Sequence, residues 1–199
     1  QKAYQSITAA GKEAYFILPV IFREHTRQRY ERLYDTVFTI PFDGIIVKNY
    51  EEIGFLQRHA YTGTVMADHD LYTYSNRTQE AFSKCGICSN TVPLELNYKE
   101  LRHRDCSNSE LFIYGYLPLM VSAGCIFKSL RKCQKKESLC YLKDRYGKRF
   151  AVRNYCTDCY NILYNSSPLA LFGMQQEVES IHPKSLRMQF TTESVKETE

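Results

Sequence analysis

Apolar, β-branched runs recur along the chain at Tyr15–Phe22, Gly44–Lys48, Thr64–Ala67, Thr91–Leu96 and Leu111–Gly115, with starts 20 to 29 residues apart. Each interval has room for a turn and a helix, the rhythm of repeated βα units that build a parallel sheet. The junctions agree with this. Asn49-x-x-Glu52, Asn76-x-x-Gln79 and Asn97-x-x-Glu100 each have the form of a capping box. In that motif Asn accepts a first-turn backbone N–H, and the acid or amide reaches back to the cap. Apolar residues follow at helical spacing, as with Ile53, Phe55 and Leu56. The pattern predicts an α/β fold of TIM-barrel-like βα units, partial or complete. A closed barrel takes eight units and about 250 residues, whereas four or five precede residue 121. The remaining strands are expected upstream of Gln1, and a start at Gln rather than Met reads as a fragment of a longer protein.

The pattern changes after Ser122. Cys125–Lys136 is polar and basic without an apolar period, and is read as loop. Cys140–Lys143 and Arg149–Arg153 read as short strands around Asp144-Arg145-Tyr146-Gly147, a hairpin signal. A helix is predicted over Leu169–Ser180, a strand over Ser185–Phe190, and the start of a further helix in the tail. This gives a barrel-like α/β region over 1–121, a cysteine-rich, metal-binding segment with a basic hairpin over 122–168, and a helix and strand returning to the sheet over 169–199.

Composition adds limits. Hydrophobic residues make up 44% and charged residues 24% of 199, ordinary values that exclude a disordered or collagen-like chain. The longest strongly apolar run, Phe16–Phe22, falls far short of the roughly 20 residues of a membrane-spanning helix. No basic-then-apolar leader opens the chain. No membrane association and a cytoplasmic location are therefore expected, with the oligomeric state open. The net charge of +4 is unevenly placed: residues 128–153 hold ten Lys/Arg against only Glu137 and Asp144, and the rest is net acidic. The plain reading of such a cluster is a solvated face.

Cysteine changes the picture more. Five of the eight fall in 35 residues, spaced Cys125-x7-Cys133-x6-Cys140-x15-Cys156-x2-Cys159. A Cys-x2-Cys turn aims two thiolates at one ion, and two cysteines from a remote loop complete a tetrahedral set. Four thiolates suit zinc or an iron–sulfur cluster. Zinc ribbons usually pair two short knuckles, so the seven-residue first spacing leans toward a cluster. Neighbouring lysines and arginines are expected to lower the thiol pKa values. The plainer alternative is a set of inert buried thiols. Cys85-x2-Cys88 has no nearby partner pair, and chance is its simplest account.

Hydrolase signatures such as His-Glu-x-x-His, Gly-x-Ser-x-Gly and the Walker loop are absent from the sequence. The compact acid/base group is Asp68-His69-Asp70, placed just after a predicted strand, where barrel-like sheets carry their chemistry. Asn49 and Glu95 occupy comparable strand ends. A helix cap explains Asn49 well, and a solvent-facing acid is the plain reading of Glu95. Asp68 and Glu95 are the candidate catalytic residues.

Five blocks carry a family resemblance: DGIIVKNYEEIGFL (43–56), TVPLELNYKEL (91–101), ELFIYGYLPLMVSAGC (110–125), YLKDRYGKRFAV (141–152) and CTDCYNILYNSSPL (156–169). Over roughly 150 residues the chain resembles the carboxy-terminal module of large proteins in the collagenase-like peptidase family U32. The resemblance implies a barrel-type α/β fold and, by the family's label, a peptidase or hydrolase. It also implies kinship with oxygen-independent hydroxylases that act on ribosomal RNA, transfer RNA or a quinone precursor. In those relatives four cysteines bind a [4Fe–4S] cluster, and some depend on prephenate. Carried over by position, the ligands are Cys125, Cys133, Cys156 and Cys159, with Cys140 an addition to the pattern. Two departures stand out: the family's cysteine-and-glycine signature block is absent, and His69 and Asp70 replace a more usual aromatic and Asn. RNA is the implied partner, together with upstream modules of the same chain. Lys132, Lys135, Lys136, Arg145, Lys148 and Arg149, interleaved with Tyr141, Tyr146 and Phe150, suit phosphate contacts and base stacking. Three readings follow: an iron–sulfur RNA hydroxylase module, a peptidase, and a non-catalytic module stapled by zinc or a cluster.

Overall fold

The computed structural model describes residues 2–198, which divide into two compact units: 2–111 with Gln176–Ser185, and Phe112–Gln175 with 186–198. The first unit opens with helix α1 (Lys2–Ala9), then alternates β1 (Tyr15–Ile17), α2 (Glu24–Val37), β2 (Gly44–Val47), α3 (Tyr50–Arg58), β3 (Val65–Ala67), α4 (Asn76–Lys84), β4 (Ser89–Thr91), α5 (Tyr98–Leu101) and the start of β5 (Ser109–Gly115). The five strands are parallel and lie in chain order, with Ile45 beside Phe16 and Val65, Ala67 beside Asn90, and Asn90 beside Ser109. That progression is a curled half-barrel, and among the described residues it ends at β1 rather than closing.

β2 shows why the sequence folds this way. Gly-Ile-Ile-Val is buried at all four positions, the continuous apolar run of a strand covered on both faces. Its partners are aromatic. Phe55 of α3 has no exposed surface and meets Phe22 at 5.4 Å and Phe38 at 5.7 Å, centroid to centroid, in the tilted and edge geometries that aromatic quadrupoles favour. Leu18, Val47, Leu56, Leu71 and Phe82 extend this core.

Predicted boundaries moved where proline or a better cap intervened. The run Tyr15–Phe22 is strand only to Ile17, before Pro19, and Thr91–Leu96 is strand only at its first residue because β4 ends before Pro93. Asn97 forms the full capping box with Glu100. Asn49 caps α3, but Glu52 Oε2 accepts from the backbone N–H of Lys48. In α4 the cap is Ser75, one residue earlier than predicted, while Asn76 Oδ1 instead accepts the backbone N–H of Asp105.

In the second unit, β6 (Pro118–Ser122) is followed by a one-turn helix α6 (Ile126–Ser129), then β7 (Ser138–Lys143), β8 (Arg149–Tyr155) and β9 (Tyr160–Tyr164). These strands form an antiparallel sheet in the order β6-β9-β8-β7. The expected hairpin is β7/β8, closed by Asp144, whose Oδ1 accepts the N–H groups of Tyr146 and Lys148, with Gly147 at φ +84°. The loop expected over Cys125–Lys136 therefore contains the α6 turn. β10 (Leu169–Ala170) runs antiparallel to the end of β5. The helix predicted from Leu169 begins only with α7 (Gln175–Ile181), because Leu169 and Ala170 pair as strand and Gly173 follows. β11 (Ser185–Gln189) also pairs with β5, and α8 (Val195–Thr198) ends the described chain. Gly115 allows that pairing: at φ +146° a Cβ would stand 2.5 Å from the Gln189 carbonyl.

No helix among the described residues is long and apolar enough to cross a membrane.

Candidate metal centre

Cys156 and Cys159 occupy the turn that joins β8 to β9. The last ladder pair before the turn is Tyr155 with Tyr160, whose rings stack at 4.9 Å. Cys159 closes the turn in the left-handed region, φ 56°, a conformation unusual for a residue with a side chain. Cys125 stands at the start of α6 and is buried. Two paired asparagines of the β8/β9 ladder hold its approach: Asn161 Nδ2 donates to the Gly124 carbonyl at 2.8 Å, and Asn154 Nδ2 donates to Cys125 Sγ at 3.8 Å. Cys133 lies in the loop after α6, with Arg131 and Lys135, two residues to either side, also left-handed at φ 55° and 54°. Left-handed non-glycine residues of this kind gather at functional sites.

These elements bring the four predicted thiols to one place. Desolvation, followed by the neighbouring Cys133, Cys125 and Cys159, pushes the Cys156 thiol up from its ordinary value. Desolvation and Cys125 do the same to Cys140, so the fifth thiol is a neighbour of Cys125. The basic segment was expected to lower thiol pKa values; at Cys140 and Cys156 burial and mutual repulsion win instead. Among the described residues, no three of the sulfurs lie within 4.8 Å of one another.

An all-sulfur donor set fits a soft metal, and crowded thiols that oppose one another's ionisation are what a cation reverses. The buried Oδ1 atoms of Asn154 and Asn161 have no hydrogen-bond partner among the described residues, while their amide nitrogens brace Gly124 and Cys125. Amide donors to ligand sulfurs are a familiar outer layer of such centres. The residues fit a thiolate-bound metal or cluster.

The six predicted RNA-contacting cations separate into two groups. Lys132 and Lys136 line a cavity of about 350 Å³ with Phe127, Gln134, Glu137 and Asn154, and exposed Lys135 lies between them in sequence. Arg145, Lys148 and Arg149 cluster at the hairpin tip, the other end of β7, which is six residues or roughly 20 Å of extended strand. There Arg149 lies over the Tyr141 ring at 4.3 Å and Arg145 over Tyr146 at 4.6 Å. Glu193 and Glu197 share a 270 Å³ cavity with Arg149.

In the first unit, Asp68 follows β3 and is fully buried. Its Oδ1 accepts the His69 N–H at 2.9 Å, starting a 3-10 turn, and its Oδ2 lies 2.7 Å from Lys48 Nζ. Lys48 also reaches Asp70 at 3.4 Å, and His69 Nδ1 is 3.4 Å from Asp70. The ligand atoms of Asp68, His69 and Asp70 lie within 4.8 Å of one another, but the Lys48 ammonium already supplies their counter-charge. Glu95 is exposed and pairs with Tyr74, whose phenol is pushed up by desolvation first and then by this carboxylate. Asp68 thus has a structural task as turn cap and ion-pair partner, and Glu95 is held by a tyrosine. Sequence reading missed Lys48, although a lysine directly after a buried strand is a visible signal. It also missed Asn154 and Asn161, for which nothing short of the strand register was informative.

An α/β half-barrel unit accompanied by a sulfur-rich antiparallel unit defines the class. A family model described as Peptidase family U32 matches residues 1–192, and the chain belongs to that family. No curated protein and no solved structure matches it.

Proposed function

We propose that this chain is the cluster-binding module of an oxygen-independent RNA hydroxylase of family U32. Cys125, Cys133, Cys156 and Cys159 hold a [4Fe–4S] cluster in this reading, which supplies electron transfer when bound. The observation that carries it is the convergence of Cys133, Cys125 and Cys159 on Cys156 from three separate segments. The protein's own share of the work is to donate from Asn154 to the Cys125 sulfur and to attract phosphates with Lys132, Lys135 and Lys136 beside the thiols. Arg145, Lys148 and Arg149 at the hairpin tip offer a second contact to the same strand of RNA.

The test is anaerobic purification of the wild type and Cys156→Ala, with iron, sulfide and zinc counts and a visible spectrum. Incubation of RNA with the reduced full-length protein, followed by nucleoside mass spectrometry for an added oxygen, completes it. Iron and sulfide lost in the variant, with a hydroxylated nucleoside made only by the wild type, are expected. Zinc without colour turns the centre into a structural staple. Gelatin hydrolysis abolished by Asp68→Asn or Glu95→Gln would favour the peptidase instead.

A further inference from the structure

The first unit holds a cation that none of this chemistry uses. Arg104 is 6% exposed, and its hydrogen bonds all go to neutral acceptors, with the Asp105 carboxylate near enough to feel its charge. Nε donates to the Thr73 carbonyl at 2.9 Å, and Nη2 to Thr73 Oγ1 at 3.1 Å and Asn90 Oδ1 at 2.6 Å. Nη1 donates to the Asp105 carbonyl at 3.2 Å, Cys106 Sγ at 3.3 Å and Ser109 Oγ at 2.9 Å. Desolvating a guanidinium costs several kcal/mol, and a carboxylate partner is the usual compensation. Here six hydrogen bonds fix the group in place and leave its charge to act on what lies beside it.

Beside it is a cleft of about 550 Å³, lined by Arg104, Arg77, His103, Tyr74, Leu96 and Glu100 together with Ser75 and Asn76. Ser75, Asn76 and Arg77 are the cap and first residues of the nine-residue α4, so the positive end of that helix also faces the cleft. Glu100 is the one acid of the lining, and its carboxylate is bound to its own helix, accepting the Asn97 N–H at 2.8 Å. Asp105 lies next in sequence to Arg104, but its carboxylate is turned to the Ser107 N–H at 2.9 Å. Two arginines, a histidine and a helix N-terminus therefore face the capping carboxylate of Glu100, with the Glu95 carboxylate held against Tyr74. Tyr74, stacked on Tyr72 at 5.7 Å, and Leu96 add an apolar wall.

We infer that this cleft binds a phosphate group carried by a nucleotide, with Arg77 as the anion-facing cation, Arg104 as a fixed positive charge behind it and Tyr74 as the ring wall. The volume falls within the range of small-ligand sites. The inference stands apart from the cysteine centre: it would hold whether or not the thiols carry a cluster.

Titration calorimetry of the 199-residue protein with inorganic phosphate, AMP and a short single-stranded RNA tests it, alongside backbone amide shifts at residues 75–77 and 103–104. Saturable AMP binding is expected, competed by inorganic phosphate and weakened about tenfold by Arg77→Gln, with amide shifts confined to those residues. Lys84→Gln, at the far end of α4, keeps wild-type affinity. AMP binding tighter than phosphate assigns the remainder to the Tyr74 wall, and Tyr74→Ala then removes that excess. RNA binding tighter than AMP, still weakened by Arg77→Gln, identifies the source as a polynucleotide phosphate. No saturable binding of phosphate or AMP, or equal binding by a folded Arg77→Gln protein, overturns the inference.

Discussion

The two units hold themselves together by different means. The half-barrel unit buries a continuous aromatic and aliphatic core, Leu18, Phe22, Ile45, Val47, Phe55, Leu56, Leu71 and Phe82 among others. The antiparallel unit buries far less apolar surface, chiefly Phe112, Ala151, Val152, Tyr160, Ile162 and Tyr164. It leaves Leu119, Met120 and Val121 of one edge strand exposed, and Leu139, Tyr141 and Leu142 of the other. A small core cannot offset chain entropy alone, and metal-stapled domains substitute ligand bonds for it. On the proposed reading, the cysteines serve the architecture of the second unit as well as its chemistry.

The largest expected effect follows from this. Thiolate–metal bonds in small domains supply on the order of 10 kcal/mol of apparent folding energy. Cys156→Ala, or stripping the metal, is expected to abolish hydrogen-exchange protection in β7, β8 and β9 while β2 and β3 remain protected. Equal protection of both sheets after metal loss would break the comparison. The reverse experiment comes next. Phe55 is fully buried in the aromatic cluster of the first unit, so Phe55→Ala should cost about 3–5 kcal/mol, read by urea denaturation. It should leave the metal content of the second unit unchanged.

Legibility in the sequence followed the same divide. In the first unit, β2 and the caps at Asn49 and Asn97 are local signals, and hydrophobic period and capping chemistry act over a few residues. That is why the four or five predicted βα units match the intervals of β1 to β5. The misplaced ends, at Pro19, Pro93 and Ser75, are places where one residue's backbone chemistry overrode a run of apolar neighbours. The second unit rests in part on long-range pairings, Val121 with Ile162 and Leu169 with Gly115, which no local pattern encodes. Cysteine spacing predicted a shared centre but named none of the side chains that stand beside the thiols, such as Asn154. Arg104 was invisible for the same reason: its partners Thr73, Asn90 and Ser109 are scattered, and only the fold assembles them.

A third prediction tests how the first unit tolerates polar burial. Glu52 is fully buried, and desolvation raises its carboxyl to about 8, against the opposing Lys48 N–H and charge. The folded state therefore keeps a proton that the unfolded chain releases near pH 4.3. The stability linked to Glu52 is fully present below that pH and is lost progressively as pH rises through about 8. Glu52→Gln carries no titrating group and should flatten this decline, gaining on the wild type by a few kcal/mol between pH 5 and about 9. Thermal melts of both proteins across that range check it. Parallel curves at every pH would mean that Glu52 is ionised in the fold.

The smallest expected effect concerns the most readable motif. Asn97 Oδ1 accepts the N–H groups of Lys99 and Glu100, and Glu100 returns a bond to the Asn97 N–H, all on an exposed one-turn helix. Asn97→Ala removes one side of the box and should cost about 1 kcal/mol, a melting shift of about 2–4 °C for a chain of this size. Asn97→Asp keeps the acceptor and places a negative charge at a helix N-terminus, so it should stay close to the wild type. A loss of several kcal/mol at Asn97 would mean that the cap anchors more than α5, and that local signals in this unit carry as much weight as the thiols do in the other. The expected ranking, thiol above core aromatic above buried acid above cap, runs opposite to the ease with which each is read from sequence. A cap is a four-residue pattern with a small, local energy, whereas the thiol centre acts only once three distant segments have met.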